Sequence, residues 1–221
     1  LWILDCLLVL NDCDKLDLID KYKIKFKKVV VLGGIGVDLN EFSYVADLSI
    51  KAKSVGFIFV ARLLREKGIF EFLEAAKQIK GEGFDAEFVV LGGFDESVFA
   101  LSREDMDGYT RSGIVKYPGF VNNVKEWVSG SSVFVLPSFY REGVPRSTQE
   151  AMALGKPVIT TNVPGCRDTV EDGVNGFLIP PKDVSSLVVA MKRFLENPDL
   201  IDVMGLASRS MAVSKFDVDA V

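Results

Sequence analysis

Short apolar runs alternate with amphipathic stretches along most of this chain. Gly56–Val60, Ala86–Leu91, Ile114–Tyr117, Val133–Leu136 and Pro157–Thr160 are brief, mostly apolar and bounded by turn residues. Runs of that kind read as strands buried on both faces. Between them, Gly68–Lys80 places Ile69, Phe72, Leu73, Ala76 and Ile79 at helical spacing on one face. Val124–Ser129, Arg146–Leu154 and Val184–Leu195 behave similarly, and helical stretches within Pro198–Ser214 follow. Such alternation predicts an α/β domain, a doubly wound parallel sheet with helices on both faces.

The first residues fit that alternation less cleanly. Leu1–Leu10 is apolar, but Asp5 interrupts it and it is well short of the roughly 20 residues a membrane span requires. It lacks a basic start and a small-residue cleavage site, so it reads as a buried strand, Cys6–Leu10, and not as a signal peptide. Asp12–Tyr22 reads as a helix opening on an Asn11/Asp12 cap. Lys23–Lys28 is a basic turn, and Val29–Leu32 a strand entering Gly33-Gly34-Ile35-Gly36. The C-terminus, Ala220-Val221, has no helix breaker, which reads as a chain cut within its last helix.

Composition narrows the chemistry. The chain has 221 residues, 48% of them hydrophobic, enough for one domain or one domain and part of another at roughly 100–200 residues each. Lys plus Arg is 26 and Asp plus Glu is 31, a net charge of −5, without the basic stripe of a nucleic-acid binder. There is no histidine. That removes Ser-His-Asp and Cys-His nucleophile systems, imidazole acid–base chemistry and histidine-ligated metals. The three cysteines, Cys6, Cys13 and Cys166, contain no C-x-x-C pair, which fits the reducing cytoplasm. Asp12-Cys13-Asp14, Asp105-Met106-Asp107 and Asp217-Val218-Asp219 match the metal-diphosphate pattern D-x-D, but three matches among 31 acids carry little weight. Gly33–Gly36 is not G-x-G-x-x-G and no Gly-Lys-Ser/Thr occurs, so dinucleotide and P-loop readings fail. The 16 phenylalanines read as core rather than stacking platforms. No metal site and no cofactor is expected.

Open parallel sheets bind ligands at the carboxyl ends of their strands. Strand Gly56–Val60 runs into Ala61-Arg62-Leu63-Leu64-Arg65-Glu66-Lys67-Gly68, where Arg62 and Lys67 could converge on one anion. The plainer alternative is a solvated loop in which Arg65 and Lys67 pair with Glu66 and Glu71. After strand Val133–Leu136, Pro145 suits the first turn of a helix. The amides of Gly143, Val144, Arg146 and Ser147 would then form an anion site at that helix N-terminus. Glu142 precedes the turn and Glu150 lies within the helix, with seven residues between them. A carboxylate placed there can accept from ribose hydroxyls. The plainer alternatives are an acid favoured by the helix dipole for Glu142 and a salt-bridged helix-face acid for Glu150.

These segments together resemble the glycosyltransferases of group 1, family four. Glu142-Gly143-Val144-Pro145 through Glu150-Ala151-Met152-Ala153-Leu154-Gly155-Lys156-Pro157 is similar to the E-x7-E segment of that family. Ala61-Arg62-Leu63 to Glu66-Lys67-Gly68 resembles its G-R-L-x-x-E-K-G, with Ala61 replacing the first Gly. Gly119-Phe120-Val121, Leu136-Pro137-Ser138, Pro164-Gly165 and Asp172-Gly173-Val174-Asn175-Gly176-Phe177-Leu178-Ile179-Pro180 resemble further family segments, in order. Gly34–Asp38 resembles the stretch opening the second domain, and the likeness covers residues 29–215.

The resemblance implies the Rossmann-like C-terminal domain of a GT-B fold, with residues 1–28 as a remnant of the N-terminal acceptor-side domain and 29–221 as the donor-binding domain. It implies a retaining hexosyl- or N-acetylhexosaminyl-transferase of the bacterial polysaccharide type, using a nucleotide-diphosphate sugar, a UDP-sugar. The acceptor would be a glycan or polyprenyl-diphosphate-linked saccharide at the cytoplasmic membrane face, with peripheral membrane association of the whole enzyme. By the same resemblance Arg62 and Lys67 bind the diphosphate, and the amides of Arg146 and Ser147 complete the phosphate cradle. Glu142, Gly143 and Val144 hold the sugar hydroxyls, Glu150 takes the ribose, and Phe120 and Val121 meet the base. Without the missing acceptor half, the fragment is expected to bind donor and not to transfer. Pro145 stands where many relatives have Gly, which removes one possible phosphate donor. Rivals are a UDP-sugar 2-epimerase or a glycogen-phosphorylase-type protein on the same fold, the latter needing a pyridoxal-binding lysine that cannot be placed, and a non-catalytic nucleotide-sugar-binding module. The epimerase needs proton-transfer residues that cannot be placed here, and a sugar-release assay distinguishes the module.

Overall fold

A computed structural model describes residues 4–23, 25–44, 54–97 and 100–219. Strand β1 (Leu4–Val9) leads to α1 (Asp12–Leu16), which continues as a π-helical turn over Asp17–Lys21 before β2 (Phe26–Val31). There follow β3 (Val55–Val60), α2 (Ile69–Gly81), β4 (Ala86–Leu91), α3 (Arg103–Arg111) and β5 (Lys116–Gly119). The rest of the chain forms α4 (Val124–Ser129), β6 (Val133–Leu136), α5 (Arg146–Ala153), β7 (Val158–Thr161), β8 (Gly176–Ile179), α6 (Val184–Glu196) and α7 (Asp199–Lys215).

The main sheet has six strands in the order β5-β4-β3-β6-β7-β8, and every pairing is parallel. The chain winds outward from β3 through β4 to β5, then returns to β6 beside β3 and winds the other way. The strand order therefore reverses between β3 and β6, and a crevice opens there at the carboxyl ends of both. This is the doubly wound α/β architecture expected. Its central strands are nearly all apolar because helices cover both faces: β6 and β7 are buried at every position.

Phenylalanine fills the layer between β3, β4 and α2. Phe57 stacks on Phe88 with ring centroids 5.4 Å apart, while Phe72 of α2 lies 5.6 Å from Phe59 and 6.0 Å, edge-on, from Phe88. These rings are buried, as the core reading of the phenylalanines requires, whereas Phe120 is 79% exposed.

Four expectations need correction. The first strand forms as Leu4–Val9 and is not a buried one: Leu8 is 60% exposed, and within Asp5–Val9 only Val9 is buried. It pairs with β2 alone, so no further described layer covers it. The helix expected over Asp12–Tyr22 changes after one turn from α to π winding. Pro145 is the N-cap of α5, not a first-turn residue, with φ −61° and ψ 123°. Finally, β8 and α3 are elements that periodicity did not reveal.

Candidate functional site

The crevice at the strand reversal is a cleft of about 390 Å³. Of the residues singled out from sequence, Arg62, Lys67, Phe120, Val121, Glu142, Arg146 and Ser147 line it. Gly143, Val144 and Glu150 do not. Val144 is buried, and a Cβ on Gly143 would lie 2.3 Å from the Leu10 side chain. Gly92 and Gly93, at the end of β4, also line the cleft and were missed, although a Gly-Gly pair directly after a strand is a readable signal. A Cβ on Gly92 would sit 1.9 Å from the Ala61 carbonyl oxygen, so only glycine lets these two strand ends meet.

Lys67 is carried on a 3₁₀ turn, Arg65–Lys67, that ends on Gly68 at φ +80°. A side chain on Gly68 would run 2.2 Å from the Pro137 carbonyl oxygen. That close approach sets Lys67 against the loop after β6, where Nζ forms an ion pair with Glu142 Oε1. Both side chains are mostly buried, 18% and 12% exposed. Separation of such a pair by deleting one partner leaves the other charge uncompensated. Lys67 therefore pairs neither with Glu66 nor with Glu71, contrary to the solvated-loop alternative. Its ammonium also lies 5.6 Å from the centre of the Tyr140 ring.

Arg62 is held differently. Its guanidinium is two-thirds exposed and Nη1 donates to Asp95 Oδ2 at 3.0 Å. An exposed pair of that kind is worth about 0–1 kcal/mol, so an entering anion can recruit Arg62 at small cost. The third cationic element is the start of α5. Pro145 offers no side-chain cap, and the amides of Arg146 and Ser147 meet no acceptor among the described residues. Unmet amides at a helix N-terminus favour an anion.

Glu150 turns toward its own helix: Oε1 accepts from Arg146 Nε at 2.8 Å. Burial pushes its carboxyl up from the ordinary value, against the opposing pull of Arg146, and the Glu41 carboxylate adds to the rise. Cys166 lies behind the Lys67–Glu142 pair, and burial pushes its thiol up to about 12. It is no nucleophile at neutral pH.

The N-terminal segment touches this site. Asn11 Nδ2 donates to the Gly143 carbonyl at 2.9 Å, and Arg141 pairs with Asp14 at 3.0 Å and with Asp17. Asp14 of the first D-x-D match is thus engaged by Arg141. Asp105 of the second accepts from Ser102 Oγ at 2.6 Å in the cap of α3.

Known proteins resemble this chain in sequence and in fold. The profile of the glycosyl transferases group 1 family matches residues 41–211. The chain is 31% identical over 188 residues, 80% of this chain and 48% of the relative, to the N,N'-diacetylbacillosaminyl-diphospho-undecaprenol alpha-1,3-N-acetylgalactosaminyltransferase of Campylobacter jejuni. It is 29% identical over 224 residues, 96% of this chain and 56% of the relative, to the UDP-Gal:alpha-D-GlcNAc-diphosphoundecaprenol alpha-1,3-galactosyltransferase of Escherichia coli. The chain thus spans about half the length of these curated relatives. Anabaena HepE, solved in complex with UDP and glucose, superposes with a TM-score of 0.84 at 21% identity, covering 98% of this chain and 60% of that one. Its likeness establishes the fold, the Rossmann-like half of a GT-B glycosyltransferase. By its sequence and its sheet, the chain belongs to the group 1 glycosyl transferases.

Proposed function

We propose that the cleft binds the diphosphate of a UDP-sugar, as the donor-binding half of a retaining glycosyltransferase. The observation that carries this reading is the convergence of Arg62, Lys67 and the uncapped start of α5 on one cleft, with the Glu142 carboxylate beside Lys67. The cations and amides suit the two phosphates, and the carboxylate suits sugar hydroxyls. As the bond between the sugar and the diphosphate breaks, negative charge grows on the leaving phosphate. Arg62 and Lys67 meet that charge, and one preorganised donor of this type is worth about 3–4 kcal/mol, roughly 100–1000-fold in rate. The released phosphate oxygen accepts the proton of the attacking hydroxyl, so no histidine is called for. Two side-chain cations and a helix N-terminus supply the charge that a metal would otherwise provide, and no cofactor enters the reading.

Phe120 and Val121 stand at the cleft on the β5 side, in place to meet the base. Glu150 reaches the ribose by exchanging its bond to Arg146 for bonds to the sugar. The uridine base is favoured because one similar enzyme is named for UDP-Gal and a similar fold was solved with UDP. Two relatives are named for diphosphoundecaprenol-linked substrates, which supports a lipid-linked saccharide as acceptor; the cytoplasmic membrane face is proposed as the place of that work. Among the described residues no helix is long and apolar enough to cross a membrane; peripheral association of the whole enzyme with that face is part of the proposal. Residues 1–28 are read as the end of an acceptor-side domain. Calorimetric titration of the chain with UDP, GDP, ADP and dTDP tests the donor reading. UDP should bind tightest, one per chain; no saturable binding, or preference for another base, would overturn it. This chain alone should release little sugar from a UDP-sugar.

A further inference from the structure

Ser138 does not line the cleft, yet it touches both halves of the site. It is completely buried, and its Oγ lies 2.9 Å from the Glu66 carbonyl oxygen and 3.0 Å from Glu142 Oε1. The hydroxyl has one proton to give, and the two acceptors compete for it. Glu66 oxygen already receives the amides of Phe139 at 2.9 Å and Tyr140 at 3.1 Å, which occupy both of its lone pairs. Glu142 is a carboxylate and the stronger acceptor. The proton therefore goes to Glu142 Oε1, the oxygen that Lys67 also holds. The second oxygen, Oε2, takes no hydrogen bond from any described residue, which leaves it to the cleft that Glu142 lines.

The two partners of Oε1 differ in what they can do next. Lys67 is an ammonium on a flexible stem, and a diphosphate entering the cleft competes for it. Ser138 cannot follow, because its carbonyl accepts from Thr161 Oγ1 and its neighbouring amides are fixed to Glu66. We propose that Ser138 is a positioning residue for donor sugar selection: it holds the Glu142 carboxylate in its sugar-facing orientation when Lys67 turns to the phosphates. The inference rests on the donor-site reading above and deepens it.

The test separates the sugar from the nucleotide. UDP, UDP-glucose, UDP-galactose and UDP-N-acetylglucosamine are titrated into the native chain and into Ser138→Ala, Ser138→Cys and Thr161→Val. The native chain should favour one UDP-sugar over UDP. Ser138→Ala should keep its UDP affinity within about twofold and lose roughly tenfold in that preference, a difference of about 1.4 kcal/mol. Ser138→Cys, with a weaker donor in the same place, should fall between. Thr161→Val removes one backbone anchor of Ser138 but keeps the Ser138 hydroxyl proton, and the Phe139 and Tyr140 amides still tie the segment to Glu66; it should lower the melting temperature and retain most of the preference. If Ser138→Ala, or Ser138→Cys where the alanine variant does not fold, keeps the native preference, the positioning role is wrong while the donor reading stands. An equal loss in Thr161→Val would make Ser138 a packing residue only. Failure of the native chain to bind UDP or any UDP-sugar would overturn both readings together.

Discussion

Glu150, the proposed ribose acceptor, is a carboxylate held by its own helix. Burial raises its pKa, and Arg146, itself 63% exposed, gives it a replaceable partner. In the free chain, a carboxyl raised by folding stabilises the fold at low pH, and that contribution fades as pH rises through the folded value. Ligand binding has the opposite sign, because the ribose hydroxyls need the ionised form as acceptor. UDP-glucose affinity should therefore weaken as pH is lowered from 7 into the acid range, and Glu150→Gln should flatten that profile. UDP-glucose is the ligand to use, since its diphosphate gains no proton there. At neutral pH, Glu150→Gln should reduce UDP affinity by roughly tenfold, the loss of a charge-assisted bond of about 1.5–3 kcal/mol. A 2′-deoxy UDP should bind the native protein much more weakly than UDP and the variant almost equally; equal losses in both would make Glu150 a helix acid alone. Glu142 and Glu150 stand out by their spacing around Pro145, while the roles proposed for them come from the family resemblance. Their partners were not legible: Lys67 and Glu142 stand 75 positions apart, and no local pattern says that the turn before α2 meets the loop after β6.

At the scale of elements, the site depends on how closely loops approach one another. Gly68 both adopts φ +80° and lies under the Pro137 carbonyl. Gly68→Ala should cost roughly 1–3 kcal/mol for the conformation alone, with the clash added, and should displace Lys67. Denaturant unfolding together with UDP titration checks this: a loss of stability without a loss of affinity would show that the turn does not place Lys67. The long elements were legible because their apolar positions repeat at helical or strand spacing, as in α2, which buries Ile69, Phe72, Leu73, Ala76 and Ile79. The two missed elements lack that signal. Helix α3 buries only Met106, so it has no apolar stripe, and β8 is a four-residue edge strand that starts with glycine. The first strand was over-read as buried because an apolar run reports what a segment can bury. It does not report whether the partner layer lies within the described residues.

For the whole molecule, the strand order is the link between core and function. Reversal between β3 and β6 puts two strand ends side by side, and their loops deliver Arg62, Lys67 and Glu142 to one cleft. The core behind it is aromatic. Phe72→Ala should cost about 3–5 kcal/mol, read by denaturant unfolding, because Phe72 joins α2 to both β3 and β4. Topology of this kind was legible from alternation alone, whereas the reversal point was not, since it depends on which strands pair. The central claim is that the cations in this crevice recognise a diphosphate. The most direct measurement is the ratio of UDP to UMP affinity in the native chain and in Lys67→Ala. The native chain should prefer UDP by tenfold or more, about 1.4 kcal/mol or above, and Lys67→Ala should bring the two toward parity while remaining folded. An undiminished preference in Lys67→Ala, or a native chain that binds UMP as well as UDP, would contradict it.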